Sequence, residues 1–179
     1  MIGTGSQTVG PFFHVGLCTL FNDKLVDARF AGPLITIRGR VLDGDGAGVA
    51  DAMVEIWQAD PTGEYATSER HDGFSGFGRV PTGADGSFQF TTTRPGRVAG
   101  PDGKLQAPHI VVAIFMRGLL RHLNSRIYFP DGAGNSEDLV LSLVEPGRRD
   151  TLTAREVAPG AFEWDVRLQG ESETVFFDF

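Results

Sequence analysis

Alternating apolar and polar side chains mark out short strands along most of this chain. Residues 34–42, LITIRGRVL, set Ile35, Ile37 and Val41 among polar neighbours. That is the period-two pattern of a half-buried strand. They run into DGDGAG at 43–48, a Gly/Asp turn cluster. Residues 52–58, AMVEIWQ, carry the β-forming Val54, Ile56 and Trp57, and 87–92, SFQFTT, alternate Phe88 and Phe90. Residues 109–116, HIVVAIFM, are apolar on both faces, which predicts a central strand. Segments 125–129, 162–168 and 174–177 complete the set. One short helix is expected over 136–143, with Asn135 as its cap and Glu137 and Asp138 in its first turn, where the helix dipole favours acids. Seven or more short strands, with at most one or two short helices, predict an all-β fold: an antiparallel β-sandwich or barrel.

Composition narrows the reading. A chain of 179 residues suits one domain, taken here as residues 1–179. The 24 Gly and 10 Pro supply the many turns, and 14 Phe supply a strand-rich core. A net charge of −7 disfavours nucleic acid as a partner, because phosphate binding needs a basic surface. No apolar run approaches the roughly 18 residues of a membrane span. The lone Cys18 excludes an intrachain disulfide and a Cys-based zinc site. No Lys or Arg precedes Lys24, so no secretory leader is evident and a cytoplasmic address is expected.

Self-contained chemistry is hard to find. There is no G-x-S-x-G elbow. His14 and Cys18 lie four residues apart, too far in an extended segment to act together. The four His, at 14, 71, 109 and 122, form no H-x-H or H-x-x-x-H pair. Asp43, Asp45, Asp51, Asp85 and Asp131 sit in Gly-rich turns and suit turn formation better than a calcium cage. GDGAG at 44–48 leads into no helix and reads as a hairpin turn, not a phosphate loop. On residues alone this is a β-domain that binds a partner, builds a structure, or completes a neighbour's active site.

Several motifs then converge. GRVLDGDG at 39–46, VEIWQADPTGEY at 54–65, GFGRVPTGADGSFQF at 76–90, RPG at 94–96, APHI at 107–110, FMRG at 115–118 and RIYF at 126–129 resemble the signature of the intradiol ring-cleaving dioxygenases. SQTVGPF at 6–12 and RLQGESETVFFDF at 167–179 extend the resemblance to both ends. It points to the two-chain members of that family, and to their α subunit. It implies the intradiol-type β-sandwich, with residues 1–20 as an N-terminal arm reaching the partner subunit. The implied reaction opens the ring of protocatechuate with O2 to 3-carboxy-cis,cis-muconate. It uses one non-haem Fe(III) held by two Tyr, two His and a hydroxide.

This chain departs from the implied ligand set. Where the family has its second Tyr, after Pro-Gly-x, stands Val98. Its H-x-H is here His109-Ile110-Val111, and no Tyr lies between Ala66 and Arg79. Tyr65 and Tyr128, the only tyrosines, fall on motif positions that are not ligands. The expectation is that this chain holds no metal and no catalytic residue, that Fe(III) sits in a homologous β subunit, and that αβ pairs build a higher oligomer. The α chain of the family lines the β subunit's substrate pocket. The matching positions are Thr8, Gly10, Pro11 and Arg117. Arg117 would favour the substrate carboxylate, and Gly10 and Pro11 would form a rigid wall. On an unbroken strand His109 and Arg117 would stand roughly 26 Å apart on one face, so Arg117 would serve a site other than that of His109.

Other residues are expected to be structural. Trp57 and Trp164 should be core, Glu55 and Asp60 should serve strand pairing or a turn, and Arg79 and Arg126 should make ion pairs inside the sandwich. Phe176 and Phe177 should point to opposite faces of a strand, covered by a partner or the core. Two alternatives stand beside the subunit reading: a free-standing β-sandwich binding module, and a self-contained iron enzyme using His71, His109 and Tyr65.

Overall fold

The computed structural model describes residues 4–10, 12–67, 72–100, 103–132 and 134–178. A short helix α1 (Phe12–Leu17) and a 3-10 turn (Cys18–Leu20) come first. The strands follow: β1 (Ile35–Leu42), β2 (Met53–Gln58), β3 (Phe77–Pro81), β4 (Ser87–Thr92), β5 (His109–Phe115) and β6 (Leu123–Tyr128). A 3-10 turn (Asn135–Glu137), helix α2 (Leu139–Ser142) and a 3-10 helix (Pro146–Leu152) lead to β7 (Arg155–Ala158), β8 (Ala161–Glu163) and β9 (Val166–Arg167). Among the described residues, no helix is long and apolar enough to cross a membrane.

Two sheets face each other. One runs β3-β2-β5-β6 and is antiparallel throughout. The other runs β4-β1-β8-β7, with β9 also on β1. Ile37, Val54, Ile56, Phe90, Ile110, Val112 and Ile114 are fully buried between them, as period-two alternation requires. The segment before β1 closes one side of the sandwich. Asn22 exchanges backbone bonds with Arg79 of β3 (2.8 and 2.9 Å), and Leu25 N–H donates to Thr91 of β4 (2.9 Å). This carries the Leu25 side chain into the core. The two-sheet β-sandwich with few short helices is therefore observed, and β5 is central as its apolar run predicts.

The structure corrects several local expectations. The second sheet is mixed, because β8 and β9 run parallel to β1. The strand expected over 162–168 is broken at Trp164–Asp165. There Asp165 Oδ1 takes the Arg40 N–H (2.9 Å), so a side chain replaces a ladder carbonyl. Strand β3 carries no readable alternation, since one of its two buried positions is Gly78, whose missing side chain makes room for Leu25 and Phe90. Strand β7 buries nothing and offers no apolar face to read. Segment 174–177 makes only a bridge, Phe177 to Asn124, yet its two Phe do diverge: Phe176 packs on the main core and Phe177 on a second cluster with Tyr128, Leu141 and Leu152. Segment 14–18, expected to be extended, is helical, and Gly10 C=O accepts from Phe13 N–H (3.0 Å) at its start.

Gly39 is the tightest point of the mixed sheet. A Cβ there would lie 1.8 Å from the Trp164 carbonyl oxygen and 3.0 Å from the Phe88 ring. Gly39→Ala must push β1 away from the β8–β9 break and should cost about 1–3 kcal/mol, measurable as a lower urea midpoint at unchanged m-value.

Candidate functional site

The outer face of the four-stranded sheet carries both groups of candidate residues, at opposite ends of β5. At about 3.3 Å per residue, the seven residues of β5 separate those ends by about 20 Å. Arg117 does not share an unbroken strand face with His109. The strand stops at Phe115, and Arg117 lies in the turn that follows, where Leu119 N–H meets Met116 C=O (3.4 Å).

At the Arg117 end, three of the four expected positions are brought together or close. Gly118 N–H donates to Thr8 Oγ1 (2.8 Å), which docks the arm on the Arg117 turn two residues before Gly10. Phe13 of α1 leans on Phe115, ring centroids 5.7 Å apart, and His122 stacks on the same ring at 5.0 Å. Gln7, Val9, Met116 and Leu120 help line a shallow pocket of about 210 Å3 here. The Arg117 side chain is 67% exposed and pairs with Asp51 in the turn before β2, a partner that turn chemistry alone did not suggest. Pro11 lies outside the described residues, as does His71.

At the other end, His109 is buried. Its Nδ1 stands 2.8 Å from Ala107 C=O, which fixes the proton on Nδ1. Burial, reinforced by the field of Arg126, pulls its pKa down to about 4, so the ring is neutral near pH 7. Tyr128 packs beside it and donates from its hydroxyl to Asp138 Oδ1 (3.1 Å). Burial raises the Tyr128 pKa, which keeps that phenol protonated. Asp138 also accepts Ala107 N–H (2.8 Å) and Leu141 N–H (2.8 Å). It is therefore the true N-cap of α2, where Asn135 was expected, and it splits the anticipated 136–143 helix. Arg126 donates to Gln106 Oε1 (2.8 Å).

The remaining expectations sort as follows. Trp164 is core, but Trp57 is 38% exposed on the outer face, stacked parallel to Tyr65 with centroids 5.7 Å apart. Arg79 pairs with Glu55 (2.5 Å) in cross-strand register on that face, not inside the sandwich. Arg126 also lies on the outer face, bonded to Gln106 and close to Tyr128. Asp60 serves a turn, accepting from Thr62 and Glu64 N–H (2.8 and 3.0 Å). Asp43 likewise accepts from Asp45 and Ala47 N–H (3.0 and 2.9 Å).

Comparison with known proteins now bears on this face. A sequence profile described as Dioxygenase matches residues 10–170. The protocatechuate 3,4-dioxygenase alpha chain of Burkholderia cepacia is 43% identical across 98% of this chain and 96% of its own. The chain belongs to the intradiol dioxygenase family. The beta chain of the same Burkholderia cepacia enzyme is 29% identical over 95% of this chain and 77% of its own. A solved structure, the dioxygenase domain of a dioxygenase–carbohydrate-binding protein fusion from Streptomyces sp. SirexAA-E, aligns with a TM-score of 0.65 at 28% identity, over 87% of this chain and 89% of that one.

Intradiol dioxygenases work with non-haem iron, and the residues around His109 do not fit such an ion. Val98 and Val111 are apolar, Tyr65 is engaged with Trp57, and the Tyr128 hydroxyl is committed to Asp138. Among the described residues, a single imidazole with no phenolate beside it falls short of the donor set a ferric ion needs.

His109 also sets a pH dependence. The unfolded ring binds a proton near pH 6.5 and the native ring only near pH 4. The unfolded state therefore holds more protons between those values, and stability falls as pH drops through 6.5, reaching a floor below about 4. The loss should be roughly 3 kcal/mol, and His109→Gln should remove that part of the slope in denaturant titrations at stepped pH.

Proposed function

We propose that this chain is the pocket-completing α subunit of a two-chain intradiol dioxygenase that opens protocatechuate with O2 to 3-carboxy-cis,cis-muconate. Fe(III) is held by its β subunit. The observation that carries this reading is the near full-length match to an alpha chain of that activity, and a cluster around His109 that does not suit iron agrees with it. Both atoms of O2 enter the product, one on each carbon of the severed bond, so the ring substrate with one carboxylate leaves as a tricarboxylate.

In this reading the arm and the 116–119 turn form the contribution to the neighbour's pocket. The Thr8–Gly118 bond supports it, since it ties the arm at Thr8 to the turn that carries Arg117. Arg117 offers a fixed positive charge to the substrate carboxylate and to the acids formed from it. Its pairing with Asp51 aims the guanidinium while leaving donors free, because a guanidinium has five N–H groups. Gly10, and Pro11 beside it, allow close approach of the backbone to the ring. Exposed Leu120, and Val15 of the helix whose Phe13 packs on Phe115, give this end apolar side chains suited to burial against the β subunit. Several αβ pairs then assemble into a larger particle.

Co-expression tests this directly. The chain purified alone should carry no iron and turn over no protocatechuate. Together with a β chain it should yield a particle with about one ferric ion per αβ pair. A chain that stays monomeric in the presence of β chains is instead the free-standing binding module. In the assembled enzyme, Arg117→Ala should lower kcat/KM for protocatechuate about 10- to 100-fold with iron content unchanged. An unaltered kcat/KM removes Arg117 from the pocket.

A further inference from the structure

The His109 end of the outer face holds a cation of its own. Strand β6 sets Tyr128 opposite His109 and Arg126 opposite Val111, the residue that follows His109 on the same face of β5. Trp57 of β2 stands on the other side of Val111. The Arg126 guanidinium therefore lies in the row next to His109. Its Nη1 donates to Gln106 Oε1 (2.8 Å) and is 3.5 Å from the Tyr128 hydroxyl. Its Nε is sealed from solvent and has no acceptor among the described residues.

That Nε is informative. A buried donor without a partner costs about 1–3 kcal/mol, so placing a guanidinium here is unfavourable for stability alone. Side chains of donor types found in metal sites stand near it, though too few of them are free to hold an ion. With the proton of His109 fixed on Nδ1, Nε2 keeps its lone pair. Tyr128 and the buried Asp138 carboxylate stand behind it.

We propose that the Arg126 guanidinium is a resident cation that closes this face of the sheet to metal ions, so that the chain excludes a metal by charge as well as by its shortage of donors. The field of Arg126 acts in the same sense on the ring, adding to burial in keeping His109 uncharged. The inference concerns this chain's own residues and holds whichever subunit carries iron.

The test places a second imidazole on the face. Val111→His sets two His two residues apart on one strand face, a spacing that can chelate a metal. Three full-length variants are titrated with Co(II) at pH 7.5, with their folding checked by circular dichroism: Val111→His, Val111→His/Arg126→Gln and Val111→His/Arg126→Lys. Co(II) should bind the Gln variant at least about tenfold more tightly than the other two, because like charges at this range repel strongly outside bulk water. Equal affinity in the charged and neutral variants overturns the proposal, and so does an absence of binding in all three. Arg126→Gln alone gives a second readout that does not depend on the new His. The His109 pKa, followed by NMR, should rise while staying below 6.5, since burial persists. An unmoved His109 titration overturns the proposal even if the Val111 variants do not fold.

Discussion

Asp138 has no exposed surface, yet it carries a carboxylate. Such a group survives burial only if donors replace water, and here three do: the Ala107 and Leu141 amides and the Tyr128 hydroxyl. They come from three different segments. Ala107 leads into β5, Tyr128 ends β6 and Leu141 lies within α2. The carboxylate thus ties the edge of the outer sheet to the helix that covers it. The second apolar cluster, with Leu141, Val144 and Leu152, forms over the same spot. Once Tyr128 is held there, the His109 ring is walled in, and its protonation follows from that burial.

The same sheet face serves different ends at its two extremities. One end is closed, neutral at the imidazole and filled by a guanidinium. The other is open, with an exposed arginine, an arm tied to the turn through Thr8, and apolar side chains facing outward. A rigid central strand of seven residues keeps them about 20 Å apart. Catalytic pockets need a precisely held wall, and strand ends bearing short turns supply one with little freedom. An arm docked on such a turn is also free to present its outer surface to a second chain.

Much of the architecture was legible because it rests on local periodicity. The alternation in 34–42 and 87–92 and the continuous apolar run in 109–116 both report burial locally, and those strands lie where the patterns put them. Strand β3 escaped because Gly78 fills a core position with no side chain, the space being taken by Leu25 and Phe90 from distant segments. The parallel pairing of β8 and β9 with β1 escaped because strand direction leaves no mark on alternation. The helix cap moved from Asn135 to Asp138 because two partners outside the helix, Ala107 and Tyr128, compete for the carboxylate.

By itself, the sequence determined the all-β class, the lack of a sufficient donor set for ferric iron, and the motif frame of an intradiol dioxygenase. Each of these depends only on which side chains are present and on their short-range order. Tertiary structure alone decided that Arg126 stands across from Val111, that Trp57 lies on the surface, that Arg117 leaves the strand to meet Asp51, and that Thr8 grips Gly118. These are matters of register and of contacts across as many as 110 residues, set by how two sheets and an arm pack, and no local pattern of hydrophobicity encodes them.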